Sequence, residues 1–165
     1  MAPMMPHMTD DIDHMMAIMV EAFDPHWGEA WTRKQISDSL TLPTIFYRLI
    51  GADGVSHQPE VATTKNFTPA GFTLSRNISG EEELLLIAVH PAHRGKGLGR
   101  KLMEHLEQDA RSRGASQMFL EMRSNNPAEQ LYRSCGFLAV GTRKDYYRLK
   151  DGNRLDAITF SLKLI

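Results

Sequence analysis

Only one of the 165 residues is a cysteine, Cys135, so no internal disulfide can form and the stapled scaffold of a small secreted protein is excluded. No stretch approaches the ~20 consecutive apolar residues of a membrane-spanning helix. The start combines no basic segment with a long apolar run, so secretion and membrane insertion are not expected and the cytoplasm is the default location. Neither sign of charge dominates: the net charge is -1, which gives no general attraction to nucleic acid or to an anionic membrane, so any charged-ligand site must be local. His90 and His93 stand three apart across Pro91 without an obvious third ligand, and no metal is expected. There is no internal repeat. Nothing in the sequence decides between a monomer and a homodimer.

What remains is the make-up of an ordinary globular chain, 42% apolar and 24% charged, long enough for one domain with its own core. Residues 1–8, rich in Met and Pro, read as a loose leader, and residues 9–165 as the domain. From Thr9, Ile12, Met15, Met16, Met19 and Phe23 fall at helical intervals. A shorter helix is expected from Thr32 to Leu40, ended by Pro43. Strands are expected over 44–51, 70–76 and 81–89, with a loop containing Gly, Pro and Ser between the first two. After three glycines, Leu98, Leu102, Leu106 and Ala110 recur every four residues until Gly114. Residues 117–122 read as a further buried strand, and a helix follows with Asn126 as N-cap, Pro127 first and Glu129 closing a capping box. Two alternating segments around "KDGN" (150–153) make a terminal hairpin. A helical crossover joins strand 81–89 to strand 117–122, which makes these two parallel neighbours in an otherwise mainly antiparallel sheet.

The segment "HPAHRGKGLGRKLMEHL" (90–106) places Gly95, Gly97 and Gly99 where a helix begins. Residues without a Cβ let the backbone approach a ligand, and the first helical turn carries N–H groups without acceptors and a partial positive charge. With Arg94, Lys96 and Arg100 nearby, this is a cradle suited to a pyrophosphate. A tight strand-to-helix turn with solvated basic residues has the same composition. No Ser or Thr follows Gly95-Lys96, which excludes a Walker loop, and the helix-first element order disagrees with a dinucleotide-binding fold. The pattern that fits is R-x-x-G-x-G, read as Arg94, Gly97 and Gly99, after the apolar strand "LLLIAVHP".

On these residues the chain resembles the GNAT superfamily of acetyl-CoA-dependent N-acetyltransferases from about residue 9 to its end. Through "LLIAVHPAHRGKGLGRKLMEHL", "LEMRSNNPAEQLYRSCGF" and "DYYRLKDGNRLDAI" it is similar within that superfamily to the RimI-type ribosomal-protein alanine N-acetyltransferases. "HWGEAW" is a looser match. The resemblance implies an α/β fold with a mixed, mainly antiparallel sheet around a central parallel pair and flanking helices. It implies that pantetheine lies along Ile87, Ala88 and Val89 while strand 117–122 splays away. The pyrophosphate would meet the main chain of Gly95, Lys96, Gly97, Leu98, Gly99 and Arg100, beside Arg94, and Asn125 or Asn126 would touch the coenzyme nearby. Glu121 would be the general base, Tyr132 would assist the departing thiolate, and the Val89 N–H would stabilise negative charge on the acetyl oxygen.

Each residue also has a plainer explanation. Glu121 could form a strand-end salt bridge with Arg123 or Lys101. Tyr132 could be a half-buried aromatic reaching water. Asn126 is also accounted for as an N-cap alone. Of Tyr146 and Tyr147, alternation sends one toward an acceptor site and the other away. Trp27 and Trp31 could wall the acceptor cleft, or one could serve the core. Cys135, near a helix C-terminus where a thiolate is disfavoured, is not expected to carry an acetyl group. Two departures from the family pattern stand out: Glu121 and Tyr132 are eleven positions apart, one fewer than usual, and Arg148 stands where proline is frequent. The acceptor expected from the resemblance is a protein N-terminus, that of a small-subunit ribosomal protein, with a small amine as the alternative. A non-catalytic acyl-CoA-binding module is the alternative of another class.

Overall fold

The computed structural model describes residues 8–57, 63 and 66–165. The leader expected over 1–8 lies outside them except for Met8, which opens the first helix. That helix, α1 (Met8–Ala22), buries Ile12, Met15 and Met19 of the expected stripe together with Ile18, while Met16 and, just past the helix end, Phe23 are partly buried. A single 3-10 turn at Pro25–Trp27 leads to α2 (Arg33–Ser39). The start of α2 is fixed by a capping box, in which the Thr32 hydroxyl accepts from Gln35 N–H and the Gln35 side chain accepts from Thr32 N–H.

Then come β1 (Ile45–Gly51), β2 (Ser56–His57), β3 (Pro69–Ile78), β4 (Glu81–Val89), α3 (Leu98–Ser112), β5 (Gln117–Arg123), α4 (Glu129–Ser134), β6 (Leu138–Arg148) and β7 (Arg154–Lys163). The seven strands form one sheet in the order β2-β1-β3-β4-β5-β7-β6. The β4–β5 pair is parallel and all other neighbours are antiparallel, as the crossover through α3 requires. Three apolar clusters hold the layers together. Ile12, Met15, Ile18 and Met19 with Ile36 of α2 cover Tyr47, Leu49, Phe72, Leu74, Leu86 and Ala88. Leu98 and Leu102 of α3 pack on Ile50 and Ala70. Met103, Leu106 and Ala110 join Met118, Leu120, Phe160, Tyr132 and Phe137.

At the start of β4, Glu82 is fully buried and accepts two hydrogen bonds from Arg113 (3.0 and 2.9 Å) and one from Asn77 (2.9 Å). The Arg113 guanidinium lies 4.0 Å from the ring centre of Phe46, so α3's C-terminal end is bound to the sheet by charge and by stacking.

Two features of the sheet make the site. The parallel pairing of β4 with β5 covers only Glu81↔Gln117, Glu82↔Met118 and Glu83↔Phe119, after which the strands part. The register between β3 and β4 shifts there too, Leu74 facing Leu86 and Ser75 facing Leu84, which leaves Leu85 as an extra residue. Such a bulge bends its strand, and here it turns β4 out of reach of β5 just where the pairing stops.

The helix near 126 starts later than its sequence suggests. Its N-cap is Ala128, without a side-chain cap, and the Asn126 side chain accepts from Ala128 N–H (2.9 Å) in a turn that precedes the helix.

Candidate active site

Where β4 and β5 diverge, a cleft of about 740 Å³ opens, lined by Trp27, Glu29 and Trp31 from the segment between α1 and α2, by Ile87 and Val89, by Arg94 and Gly99, by Glu121 and Arg123, by Asn126 and Tyr132, and by Tyr147 and Leu149. One end is the start of α3. Its N-cap is Gly97, in the left-handed region (φ 76°), with no side chain filling the capping role. An added Cβ there would meet nothing within 4 Å, so the glycine answers the backbone angle and leaves open space over the first-turn N–H groups. Gly99 has a different reason to be glycine: a Cβ would stand 3.2 Å from Leu131 Cδ2, so the bare backbone lets α4 close against α3.

The open edge of β4 supplies the next wall. His90 N–H donates to Ala70 O (2.7 Å), and main-chain groups alternate in direction along a strand. Ala88 therefore faces β3, while the N–H and C=O groups of Ile87 and Val89 face the gap. Of the three residues expected to pair with an extended ligand, Ile87 and Val89 turn their main chain to the gap, and the Val89 carbonyl already accepts from Arg94. Arg94 lines the cleft but is also a tie: its Nε donates to Val89 O (3.2 Å) and its Nη2 to Ala22 O (3.2 Å), joining β4 to the end of α1. Lys96 is exposed with its Nζ 3.4 Å from His93 Nδ1. The Arg100 side chain turns away to Ser134 Oγ (3.2 Å) and Glu104 (3.4 Å), leaving its N–H as its contribution to the cradle.

Glu121 and Tyr132 both line the cleft. The cation near Glu121 is Arg143 at 3.8 Å, not Arg123 or Lys101, and Arg143 is 63% exposed, an arrangement that holds the carboxylate loosely. The Tyr132 ring is buried against Phe137 and Phe160. Burial, and then the charge of Glu29, push its hydroxyl well above the ordinary tyrosine range, so it stays a proton donor at neutral pH. Tyr147 faces the cleft, whereas Tyr146 is 52% exposed and carries Arg143 over its ring. Burial first, then the neighbouring Glu121 carboxylate, raise the Tyr147 hydroxyl to about 12.

Between Arg143 and Tyr147, β6 advances four residues against two on β7. At this bulge Asp145 adopts φ 54° and its N–H donates to Asp156 Oδ1 (2.9 Å). Four against two keeps the alternation in phase, so Tyr147 stays on the face of Arg143, toward Glu121. Asn126 lines the cleft, while Asn125 Oδ1 accepts from Arg123 Nη1 (2.6 Å). Cys135 lies outside the cleft and burial raises its thiol pKa, which disfavours the thiolate. Among the described residues no group of three His, Cys, Asp or Glu side chains could hold a metal ion, and no helix is long and apolar enough to cross a membrane.

Glu29, Arg123, Arg143 and Leu149 were not legible as site residues. Glu29 and Arg123 form an ion pair of 3.0 Å across the cleft, and a link spanning 94 positions leaves no local trace. The one hint was compositional: Glu29 sits between two tryptophans in "WGEAW".

Taken together, the cleft offers main-chain donors at a helix start, a free strand edge, a carboxylate and a buried phenol. That set can grip an anionic, amide-containing ligand, take a proton on one side and donate a hydrogen bond on the other. Comparison with known proteins gives the family. The model of the acetyltransferase (GNAT) family matches residues 14–137. The [ribosomal protein bS18]-alanine N-acetyltransferase of Escherichia coli K12 is 39% identical over 102 residues, which are 61% of this chain and 68% of that one. The crystal structure of the ribosomal-protein-S18-alanine N-acetyltransferase from Escherichia coli superposes with a TM-score of 0.74 at 30% identity, covering 94% of this chain and 89% of that one. The Salmonella typhimurium protein yncA, solved with its cofactor acetyl-CoA, gives a TM-score of 0.54 at 30% identity over 67% of this chain and 63% of that one.

Proposed function

The chain belongs to the acetyltransferase (GNAT) family, and from that premise we propose that it carries an acetyl group from acetyl-CoA to the α-amine of a protein N-terminus, that of a small-subunit ribosomal protein in the cytoplasm. The observation that carries the reading is the parting of β4 and β5 after Glu83 and Phe119, which opens the strand edge of Ile87 and Val89 between the α3 cradle and the pair Glu121 and Tyr132.

In this reading the first-turn N–H groups of α3 hold the pyrophosphate, and Ile87 and Val89 pair with the pantetheine amides as a further strand would. The Val89 N–H, aimed into the gap, stabilises the charge that grows on the acetyl oxygen. Glu121 takes a proton from the acceptor ammonium, directly or through one water; the free amine forms the new C–N bond as the C–S bond breaks, and the second proton that nitrogen loses as the amide forms goes to the departing thiolate, giving the free thiol of CoA. Tyr132 donates a hydrogen bond to the departing sulfur. An α-amine suits a modest base: its pKa of about 7.7 to 8.0 makes deprotonation at pH 7 cost roughly 1 to 1.4 kcal/mol, against about 4.6 for a lysine side chain.

The test is steady-state kinetics with a peptide bearing N-terminal alanine against a panel of small amines. The expected kcat/KM for the peptide exceeds that of every small amine by at least about tenfold. Turnover of the panel with none of the peptide overturns the N-terminal reading. A second measurement addresses the cradle. Gly97→Ala forces a side chain into the left-handed region at a cost of about 1 to 2 kcal/mol, so calorimetry is expected to show weaker acetyl-CoA binding. Unchanged affinity would place the pyrophosphate elsewhere.

A further inference from the structure

Arg123 is the most heavily engaged side chain in the cleft. It is 7% exposed. Its Nε donates to Glu29 Oε1 (3.0 Å), its Nη1 donates to Asn125 Oδ1 (2.6 Å), and its guanidinium carbon lies 3.9 Å from the ring centre of Trp27. One side chain thus joins three segments that have no other reason to share a position. These are the wall between α1 and α2, the end of β5 that carries Glu121, and the turn that leads into α4 and Tyr132. Arg123 follows Glu121 by two residues, so the two project from the same face of β5. A planar guanidinium can pair at its edge and stack on its face at once, which a lysine ammonium cannot.

We propose that Arg123 is a positioning residue for the acceptor: by clasping Glu29 and Trp27 it fixes the wall against which the amine docks at a set distance from Glu121. The inference rests on the reading of this cleft as the acceptor site. The coenzyme grip at the α3 cradle and the β4 edge makes no use of Glu29, Trp27 or the Arg123 guanidinium, so the clasp governs one substrate and not the other. Glu29, held this way, lines the cleft, and its charge raises the hydroxyl pKa of both Tyr132 and Tyr147. The clasp therefore places a carboxylate where an incoming ammonium arrives.

The experiment measures KM for both substrates in Arg123→Gln, Glu29→Gln, the double variant and Arg123→Lys, well below each melting temperature. The acceptor is whichever amine of the peptide-and-amine panel the wild type turns over best. Preference for a small amine then defeats the N-terminal reading while the clasp is still scored. Each single substitution is expected to raise the acceptor KM about tenfold with the acetyl-CoA KM within about twofold, and the double to be no worse than the poorer single, because both break the Arg123–Glu29 pair. Arg123→Lys, keeping charge but not the stack, is expected to recover only part. Should Arg123→Gln fail to fold, Trp27→Leu at the partly exposed end of the clasp carries the same test. Parallel rises in both KM values, multiplicative effects in the double, or an unchanged acceptor KM overturn the proposal.

Discussion

Tyr132→Phe is expected to lower kcat by about 10² to 10³ while leaving acetyl-CoA affinity nearly unchanged. The substitution keeps the ring that packs on Phe137 and Phe160 and removes only the hydroxyl, so the fold loses little. What it removes is specific to the reaction. The Tyr132 hydroxyl holds its proton far above the ordinary range through burial and the Glu29 charge, whereas a free alkyl thiol ionises near 8.5. Complete proton transfer to the departing sulfur therefore runs uphill at about 1.4 kcal/mol per unit of pKa difference. A donated hydrogen bond that strengthens as charge builds on sulfur costs nothing of the kind. Loss of one such preorganised donor is worth about 2.7 to 4 kcal/mol in comparable sites. Single-turnover kinetics with calorimetry of coenzyme binding separates the two quantities. Unchanged turnover removes Tyr132 from the chemistry, and an equal loss of affinity makes it a binding residue instead.

The second large effect is on stability and falls at the other end of β4. Glu82→Ala leaves the Arg113 guanidinium and the Asn77 amide without their acceptor in a fully buried position. Removing one partner of a buried ion pair costs about 3 to 5 kcal/mol, and the lower part of that range is expected because the Arg113 side chain keeps 22% of its exposure to water. Urea unfolding measures it. The double replacement Glu82→Met with Arg113→Met is expected to recover much of the loss, since apolar groups of similar volume need no partner. The folded fraction should retain its kcat, because Glu82 lies in the paired part of β4 and the gap begins only after Glu83. A loss of kcat in folded protein would mean that the buried pair also sets the angle at which the two strands part.

Long amphipathic stripes and the order of elements were readable because they are local. The stripe Leu98, Leu102, Leu106 fixed α3, and a helix between two apolar strands fixed their parallel pairing. The need for glycine at Gly97 is legible for the same reason, since it is a property of one backbone angle. The start of α4 differs from the expected one because an Asn that caps a helix and an Asn that closes a turn both accept, on the side-chain oxygen, from an N–H two residues on, and Asn126 does the latter. The choice between Tyr146 and Tyr147 is hidden from the sequence because alternation fixes parity only along an unbroken strand, and between Ala139 and Gly141 β6 advances two residues against one on β7. The Arg123 clasp was hidden because it is tertiary. β2, with two residues, is too short to carry any period.

The break in β6 at Asp145 bears on how copies of the molecule meet. β6 is the outermost strand of the sheet, eleven residues long and solvent-exposed at every position but one, with Leu138 and Val140 both open to water. A flat border of that length is a template for self-assembly through main-chain pairing, the first step toward aggregates. The left-handed turn at Asp145 interrupts the row of matching groups, and Arg143, Lys144 and Arg148 flank it with like charge that a second copy would have to oppose. The kink thus guards the molecule's open flank, so straightening it would be felt in the test tube as turbidity.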